Sequence, residues 1–450
     1  MIQINPREVA AQALLDILQN GGYSNITLKR LLRQNGAMPQ KDKGFVTEVV
    51  NGTLRNILYI DAIINDVSTV KPEKMKPWIL AVLRSAVYQI YFMKVPDSAA
   101  CDEAVNLIKE KGLGKLTGFT NGVLRNIIRN KENLPVLSEN FTYAEKLSIL
   151  YSHPIWILRM WLHEFDEEFV EELCKKNNTA PDVTIAVNTL KISASQLQKE
   201  LENHGVAVKR GNHCKDALHL SKTADIASLS WFEEGSFHVQ DESSMVAVEI
   251  LDPKPNEKIL DICAAPGGKS FLIAEKMQNQ GKLMARDIHE HKVKLIQEGA
   301  NRLGLSIIKA QCADASLKDP DCIEAFDKVL VDAPCSGLGL IRKKPDIRFK
   351  KDGTDMDQLI LIQREILEQA ASYVKKDGIL VYSTCTICKK ENQKNIEWFL
   401  SQHKEYYLED CRELVPGTLK ADVDPEGWLR LFPHKHNTDG FFIARMRRKD

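Results

Sequence analysis

The 450-residue chain has no formal net charge, with 61 basic side chains against 61 acidic ones, so overall charge predicts no nucleic-acid partner and any such surface has to be local. No run of some 18 or more apolar residues occurs, which argues against a membrane-spanning helix. The opening stretch, Met1-Ile-Gln-Ile-Asn-Pro-Arg-Glu8, has no basic segment leading into an apolar core and so does not read as a secretory leader. A cytoplasmic protein is expected. Ten cysteines are too sparse for a disulfide scaffold, and in that compartment they should be reduced thiols. Paired metal-ligand spacing is missing too: Cys385-Thr-Ile-Cys388 is an isolated Cys-x-x-Cys, and no metal is expected. What is present is an ordinary globular composition, 44% apolar and 27% charged, able to bury a full core. The length allows about three domains.

From Asn5 to about Asn130 the pattern is helical, without strand alternation. Asn5 suits a cap, Pro6 the first helical position and Glu8 completes a capping-box arrangement, and Val9, Ala13, Leu14, Ile17 and Leu18 follow at helical spacing. Further helices are predicted from Ile26 to Asn35, Lys43 to Asp66, Lys76 to Met93 and Ser98 to Lys111. Asn51-Gly-Thr-Leu-Arg-Asn-Ile57 recurs as Asn121-Gly-Val-Leu-Arg-Asn-Ile127, which suggests a pseudo-repeat with Arg55 and Arg125 equivalent, coincidence being the alternative. Basic residues outnumber the nearby acids (Lys29, Arg30, Arg33, Lys41, Lys43, Lys109, Lys111, Lys115, Arg125, Arg129, Lys131). Either a solvated face or a set of phosphate contacts would look this way.

Thr142 to Lys176 reads as helical with a break at His153-Pro154, and its aromatics (Tyr151, Trp156, Trp161, Phe165) are expected in a core rather than as base-stacking platforms. A strand at Val183 to Val187, a helix from Ser193 to Asn203 and strands at Val206 to Val208 and Ala217 to Leu220 then make a small α+β module.

From about Gly235 the pattern changes to alternating strands and helices. Strands are predicted at Lys258 to Cys263, Gly281 to Asp287, Ile307 to Asp314, Val329 to Asp332 and Gly378 to Cys385, with helices at Met245 to Leu251, Phe271 to Gln278 and His289 to Leu303. This alternation implies a mostly parallel, doubly wound sheet whose ligand-binding carboxyl edge carries Asp287, Asp314, Asp332 and Cys385. The turn Ala264-Ala-Pro-Gly-Gly-Lys-Ser270 would let a ligand approach the backbone at a helix amino end. Asp287 follows Gly267 by about 20 residues, the distance at which nucleotide-binding folds place a carboxylate on ribose hydroxyls. A dehydrogenase is the first rival, but the turn is not Gly-x-Gly-x-x-Gly and such an enzyme has no use for thiols at the edge.

Two thiols stand there. Cys335 lies in Asp332-Ala-Pro-Cys-Ser-Gly337, directly after a buried strand ending in an acid, where Pro334 and Gly337 impose an irregular loop. The bland alternative is a structural cysteine. A redox dithiol at Cys385 and Cys388 would leave the glycine turn and the three acids unexplained. Methylation of carbon 5 of cytosine uses all the parts: a thiolate adds at carbon 6 to make carbon 5 nucleophilic, and a second group assists loss of the carbon 5 proton.

Cys263-Ala-Ala-Pro-Gly-Gly-Lys269, Asp332-Ala-Pro-Cys-Ser-Gly337 and Ser383-Thr-Cys-Thr386, flanked by Val239-Gln-Asp-Glu-Ser-Ser244 and Asp439-Gly-Phe-Phe-Ile-Ala444, resemble the motif set of the S-adenosylmethionine-dependent RNA cytosine-5 methyltransferases. Pro96-Asp-Ser-Ala-Ala-Cys-Asp-Glu-Ala-Val105 and Gly118-Phe-Thr-Asn-Gly-Val-Leu-Arg125 resemble the helical domain shared with the antitermination factor NusB, although Cys101-Asp102 stands where an aliphatic-Asn pair is commoner. Together they resemble the bacterial small-subunit ribosomal RNA enzymes of that family. The resemblance implies a multidomain chain: an all-α NusB-like domain (1–140) that binds RNA, an α+β linker module (141–234), and a C-terminal α/β Rossmann-like class I methyltransferase with a mostly parallel sheet (235–450).

It further implies S-adenosylmethionine as cofactor and cytosine 967 of 16S rRNA as target, with unassembled or partly assembled small subunits as possible substrates, no membrane partner and a monomer. Cys385 would be the nucleophile and Cys335 would assist proton removal and product release. Cys263, Ala264, Ala265, Pro266, Gly267, Gly268 and Lys269 would cradle the methionine part of the cofactor, Asp287 its ribose and Asp314 the adenine side. Asp332 would stand between cofactor and base. No chemical role is expected for Cys388. The run Arg342-Lys-Lys-Pro-Asp-Ile-Arg-Phe-Lys-Lys351, six basic residues against one acid, is expected to clamp phosphates. The rival readings are an RNA-binding scaffold with an inert methyltransferase-like domain, or the same chemistry on tRNA or large-subunit rRNA.

Overall fold

The structure is a computed structural model, and it describes residues 4–221, 226–350 and 353–450. The chain divides into two compact units, Met1–Thr179 with Ile341–Lys350, and Ala180–Leu340 with Lys351–Asp450.

Among the described residues the first unit is helical: α1 (Pro6–Leu18), α2 (Ser24–Gln34), α3 (Gln40–Arg55), α4 (Ile57–Val67), α5 (Pro77–Phe92), α6 (Asp97–Glu110), α7 (Thr117–Arg129), α8 (Tyr143–Tyr151), α9 (Ile155–Leu162) and α10 (Glu167–Asn177). The central α5 is buried from Trp78 through Ile90 apart from Arg84, and packs against α1, α3, α4, α6 and α7. Asn5 caps α1 by accepting from the Arg7 N–H at 2.9 Å. Glu8 turns outward to Lys111 at 3.5 Å rather than closing a capping box. The Thr142–Glu145 pair at α8 does close one.

Two expectations for this unit change. The helix predicted from Lys43 to Asp66 is two helices, because Asn56 leaves helical geometry and its side chain bonds the Gly52 carbonyl at 2.9 Å. Asn51–Ile57 therefore spans a helix break, whereas 121–127 lies within α7, and Arg55 is buried while Arg125 is exposed. The two arginines are not equivalent. Cys101, the departure from the family pattern, is buried with its thiol 3.4 Å from Asn121 Oδ1.

The second unit begins with β1 (Val183–Val187), α11 (Ala194–Asn203), β2 (Ala207–Arg210), β3 (Ala217–Ser221), the single turn α12 (Ser230–Glu233) and β4 (Phe237–Val239). The strands pair antiparallel in the order β2-β3-β1-β4. The chain continues through α13 (Glu242–Leu251), β5 (Lys258–Asp261), α14 (Gly268–Lys276), β6 (Lys282–Asp287), α15 (Glu290–Leu303), β7 (Ile308–Cys312), β8 (Phe326–Asp332), α16 (Gly353–Tyr373), β9 (Val374–Thr384), α17 (Gln393–Gln402), β10 (Tyr406–Leu408), β11 (Leu429–Leu431), α18 (Pro433–His436) and β12 (Phe441–Arg448).

The large sheet has the order β10-β12-β9-β8-β5-β6-β7, with β11 on β12. β7, β6, β5, β8 and β9 run parallel, and β12 runs antiparallel to both its neighbours, β9 and β10. Successive residues of the central strands feed two apolar clusters alternately. Ile259, Leu330 and Val381 pack with α13, α14 and α15, while Leu260, Val331 and Tyr382 pack with α16 and α17. Burial on both faces explains why these strands read as unbroken apolar runs. Strand order reverses between β5 and β8, and in open α/β sheets ligands bind outside the carboxyl ends at such a point.

Candidate active site

Every acid and thiol expected at the edge lies at the carboxyl end of a parallel strand. Asp287 ends β6, Asp314 follows β7 by two residues, Asp332 ends β8, Cys263 follows β5 and Cys385 follows β9. Cys335 and Cys385 are fifty residues apart in sequence, and their Sγ atoms are 3.3 Å apart. Both thiols are half-buried. The contact with Cys385, then burial, push the Cys335 thiol well above its ordinary pKa.

Asp332 is held on both oxygens. Oδ2 accepts from Lys269 Nζ at 2.7 Å and Oδ1 from the Ser383 hydroxyl at 2.9 Å, Ser383 being its register partner on β9. Burial alone would lower the pKa of Lys269, but the adjoining carboxylate outweighs it and raises it, so Lys269 stays a cation. Its ammonium also reaches Ser244 Oγ at 3.3 Å. Lys269 is thus engaged with the acid at the neighbouring strand end, a partner its place in the glycine turn did not suggest.

The turn after β5 is tight. Ala264 N–H donates to the Arg286 carbonyl at 2.7 Å and Gly267 N–H to that of Ala264 at 2.8 Å, with a cis peptide at Ala265-Pro266. Gly267 has φ +112°, and a Cβ there would come within 2.4 Å of the Phe271 ring, so only glycine fits. Gly268 opens α14 with its Cα side in ordinary contact distance of Gln240. Asp287 uses Oδ1 on the His289 N–H at 3.0 Å, and Asp314 uses Oδ1 on the Ser316 N–H at 2.9 Å and hydroxyl at 2.7 Å. Burial, then the charges of Asp261, Asp332, Asp287 and Asp314, push the Cys263 thiol up. Cys388 is buried, and Cys312, at the end of β7, is exposed.

The expected phosphate clamp is overturned at two of its residues. Arg348 is fully buried within the first unit, donating to the Ser152 carbonyl at 2.8 Å, the Tyr151 carbonyl at 3.2 Å and Asn178 Oδ1 at 3.1 Å. Lys350 donates to the Gly22 carbonyl at 2.8 Å, and Asp346 accepts the Ser24 N–H at 3.0 Å as well as its hydroxyl. Arg342 reaches Thr179 Oγ1 at 3.1 Å. Lys344 is exposed, and Lys351 lies outside the described residues. A count of charges could not distinguish cations facing solvent from cations already bonded to carbonyls.

The sequence reading passed over Ser336, Thr386, Gln363 and Glu391. Ser336 N–H donates to Glu391 Oε2 at 2.8 Å, and the Ser336 and Thr386 hydroxyls meet at 2.8 Å. Their signal was a hydroxyl residue directly after each thiol. Asp439 is linked to the earlier motif, its N–H donating to Asp241 Oδ1 at 3.0 Å. Gly440 N–H donates to the Gly339 carbonyl at 2.9 Å, and a Cβ on Gly339 would overlap the Gly440 carbonyl.

Family models match over nearly the whole chain: "NusB family" at residues 4–129, "Methyltr_RsmF/B-like, ferredoxin-like domain" at 153–227 and "16S rRNA methyltransferase RsmB/F" at 248–447. A Bacillus subtilis (strain 168) protein named "Probable ribosomal RNA small subunit methyltransferase B" is 40% identical across 100% of both chains. The chain belongs to the RsmB/F methyltransferase family. A Proteus mirabilis relative named "Ribosomal RNA small subunit methyltransferase B" is 33% identical over 99% of each chain. The crystal structure of PH0851 superposes with a TM-score of 0.82 at 30% identity, covering 99% of this chain and 100% of that one. A methyltransferase homologue from Pyrococcus horikoshii gives 0.58 at 28% identity, covering 69% and 100%.

As an RsmB/F family member the protein is a methyltransferase with a NusB-like helical part, a ferredoxin-like module and a Rossmann-like catalytic fold, and its cofactor is S-adenosylmethionine. The residues at the edge fit that cofactor. The glycine turn opens α14 with its first N–H groups, and Asp287 and Asp314 each turn Oδ1 to the adjoining loop and carry a second carboxylate oxygen at the edge, the set of groups a sulfonium amino acid and a nucleoside call for. Among the described residues no cluster of three or more His, Cys, Asp or Glu could hold a metal ion, and no helix is long and apolar enough to cross a membrane.

Proposed function

We propose that the protein methylates carbon 5 of a cytosine in small-subunit (16S) rRNA, cytosine 967, through a covalent adduct between Cys385 and carbon 6. The observation that supports this best is the 3.3 Å contact between the Cys335 and Cys385 thiols beside Asp332. S-adenosylmethionine, when bound, supplies an electrophilic methyl group. The Cys385 thiolate bonds to carbon 6 of the unstacked base, and the displaced electron pair makes carbon 5 nucleophilic. Asp332, fixed by Lys269 and Ser383, orients and polarises the ring. Once carbon 5 carries the methyl group, its proton leaves with the help of Cys335. The electrons of that C–H bond re-form the ring double bond as the Cys385–carbon 6 bond breaks.

In this reading residues Cys263 to Lys269 hold the methionine part of the cofactor, Asp287 the ribose and Asp314 the adenine side. Residues 1–140 form the RNA-binding domain, 141–234 a substrate platform and 235–450 the catalytic domain. The protein works as a cytoplasmic monomer on unassembled or partly assembled small subunits, engaging RNA through backbone charge with no membrane or metal partner.

Bisulfite sequencing of RNA from cells lacking the protein should show loss of a single 16S rRNA mark. A lost tRNA or large-subunit mark with 16S rRNA unchanged would move the substrate. Cys385→Ala should reduce methyl transfer by about 10,000-fold or more while calorimetry still records cofactor binding, and retained turnover would remove the nucleophile from the scheme.

A further inference from the structure

Glu391 takes no part in the scheme above, yet both cysteine loops end on it. Its side chain is fully buried. Oε2 accepts from the Ser336 N–H at 2.8 Å and from Gln363 Nε2 at 3.0 Å, and Oε1 accepts the Ser336 hydroxyl at 2.5 Å. Ser336 adjoins Cys335. Because its one hydroxyl proton goes to Glu391, Thr386 must be the donor in the 2.8 Å contact between the two hydroxyls, and Thr386 adjoins Cys385.

The other side of each thiol is tied to the same segment, Glu391 and the start of α17. Gln363 Nε2 also donates to the Pro334 carbonyl at 2.9 Å, and Asn395 orients that amide by donating to Gln363 Oε1 at 2.7 Å. The Thr384 hydroxyl meets Asn392 Oδ1 at 2.5 Å, and Asn392 Nδ2 donates to the Thr386 carbonyl at 2.9 Å. Residues 334, 336, 384 and 386 thus bracket both sulfurs and all lead to residues 391–395, where α17 begins. A buried carboxylate is a poor choice for filling space, since an apolar side chain of similar volume avoids its desolvation. What it adds is direction, since every hydroxyl in the chain from Thr386 through Ser336 must point toward it.

We propose that Glu391 is a positioning residue that clasps the two cysteine loops and sets the spacing of the Cys335 and Cys385 sulfurs for addition and release. The proposal rests on the two-thiol reading of the site. Glu391→Gln keeps the shape but turns an amide N–H toward groups that are themselves donors. Its kcat should fall about 10- to 100-fold, the usual effect of misplacing reacting groups by about 1 Å, with the Kd for S-adenosylmethionine unchanged.

Spacing is read directly by diamide, which takes two electrons and two protons from the paired thiols to leave a disulfide. The rate of 335–385 disulfide formation in folded Glu391→Gln should drop by a comparable factor. Ser336→Ala and Thr386→Val keep Glu391 and should show smaller losses of kcat and diamide rate, in that order, which keeps the proposal testable if Glu391→Gln does not fold. Normal kcat in all the variants that fold would overturn it. So would a loss of kcat matching the unfolded fraction with the diamide rate unaltered. Turnover by Cys385→Ala alongside slow diamide oxidation in Glu391→Gln would retain the clasp and discard the two-thiol reading.

Discussion

The Cys335 loop and the basic segment that follows it are both irregular, polar stretches leaving the end of β8, and they handle their polar side chains differently. Around Cys335 the neighbours are fully bonded: Ser336 to Glu391 and Thr386, Pro334 to Gln363, Gly339 N–H to the Cys385 carbonyl at 3.0 Å. The sulfur itself meets the Cys385 sulfur, takes a backbone hydrogen bond from Gly337 and remains half-buried. Between Arg342 and Lys350, by contrast, three charged groups are consumed, Arg348, Lys350 and Asp346 each being bonded inside the helical unit, while Lys344 is exposed. Burial lowers the pKa of Arg348 to about 9, which leaves it a cation at neutral pH with carbonyl oxygens as its acceptors. Residue type therefore says less about chemistry than whether surrounding bonds leave a reactive atom in reach.

The comparison is most directly broken at Cys335. Cys335→Ala should slow turnover about 100-fold and accumulate a covalent protein–RNA species visible on a denaturing gel, and free product at the normal rate would deprive the loop of its special standing. Asp261 supplies an intermediate case, a fully buried carboxyl with Oδ2 on the Ser270 hydroxyl at 2.6 Å and Oδ1 unpartnered. Burial raises its pKa from 3.8 to about 7, with Asp332 and Asp287 adding to the rise. A folded-state pKa above the unfolded one stabilises fully below about pH 3.8 and loses that stabilisation as pH rises through about 7. Wild-type protein should lose about 2–4 kcal/mol of stability over that window relative to Asp261→Asn, measured by urea unfolding at several pH values.

Arg348→Met should cost about 2–3 kcal/mol by stranding the Ser152 carbonyl and Asn178 Oδ1, seen as a lower Tm, with no change in the salt dependence of RNA binding. A slope reduced by about one would restore a phosphate role. The smallest effect is expected at exposed Lys344. There Lys344→Ala should change stability by under about 0.5 kcal/mol, and any RNA contribution should appear only as a shallower salt slope.

Strands β5, β6, β8 and β9 were legible because burial on both faces removes alternation and leaves apolar runs ending in Asp or Cys. The cap at Asn5 and the helix after Ser193, whose hydroxyl accepts from the Gln196 N–H at 3.2 Å, were legible because their partners are local. Less could be read where partners are distant. Phe441–Arg448 matched a motif, but nothing in it announces an antiparallel strand inserted between β9 and β10. Glu391 depends on residues 336 and 363, which no local pattern connects to it. The helix break at Asn56 was missed because asparagine is tolerated inside helices, and it was the return bond to Gly52 that decided the matter.

The position of β12 also governs when the protein can first work. It pairs with β9 from Phe442 to Arg447, directly beside the strand that delivers Cys385. During synthesis β9 stays an open, aggregation-prone border until residues 441–448 emerge from the ribosome. The apolar clusters of α1 to α7 are complete without β12, and the helical unit waits only on residues 341–350, so Cys385 gains its strand neighbour late, after most of that unit has been made.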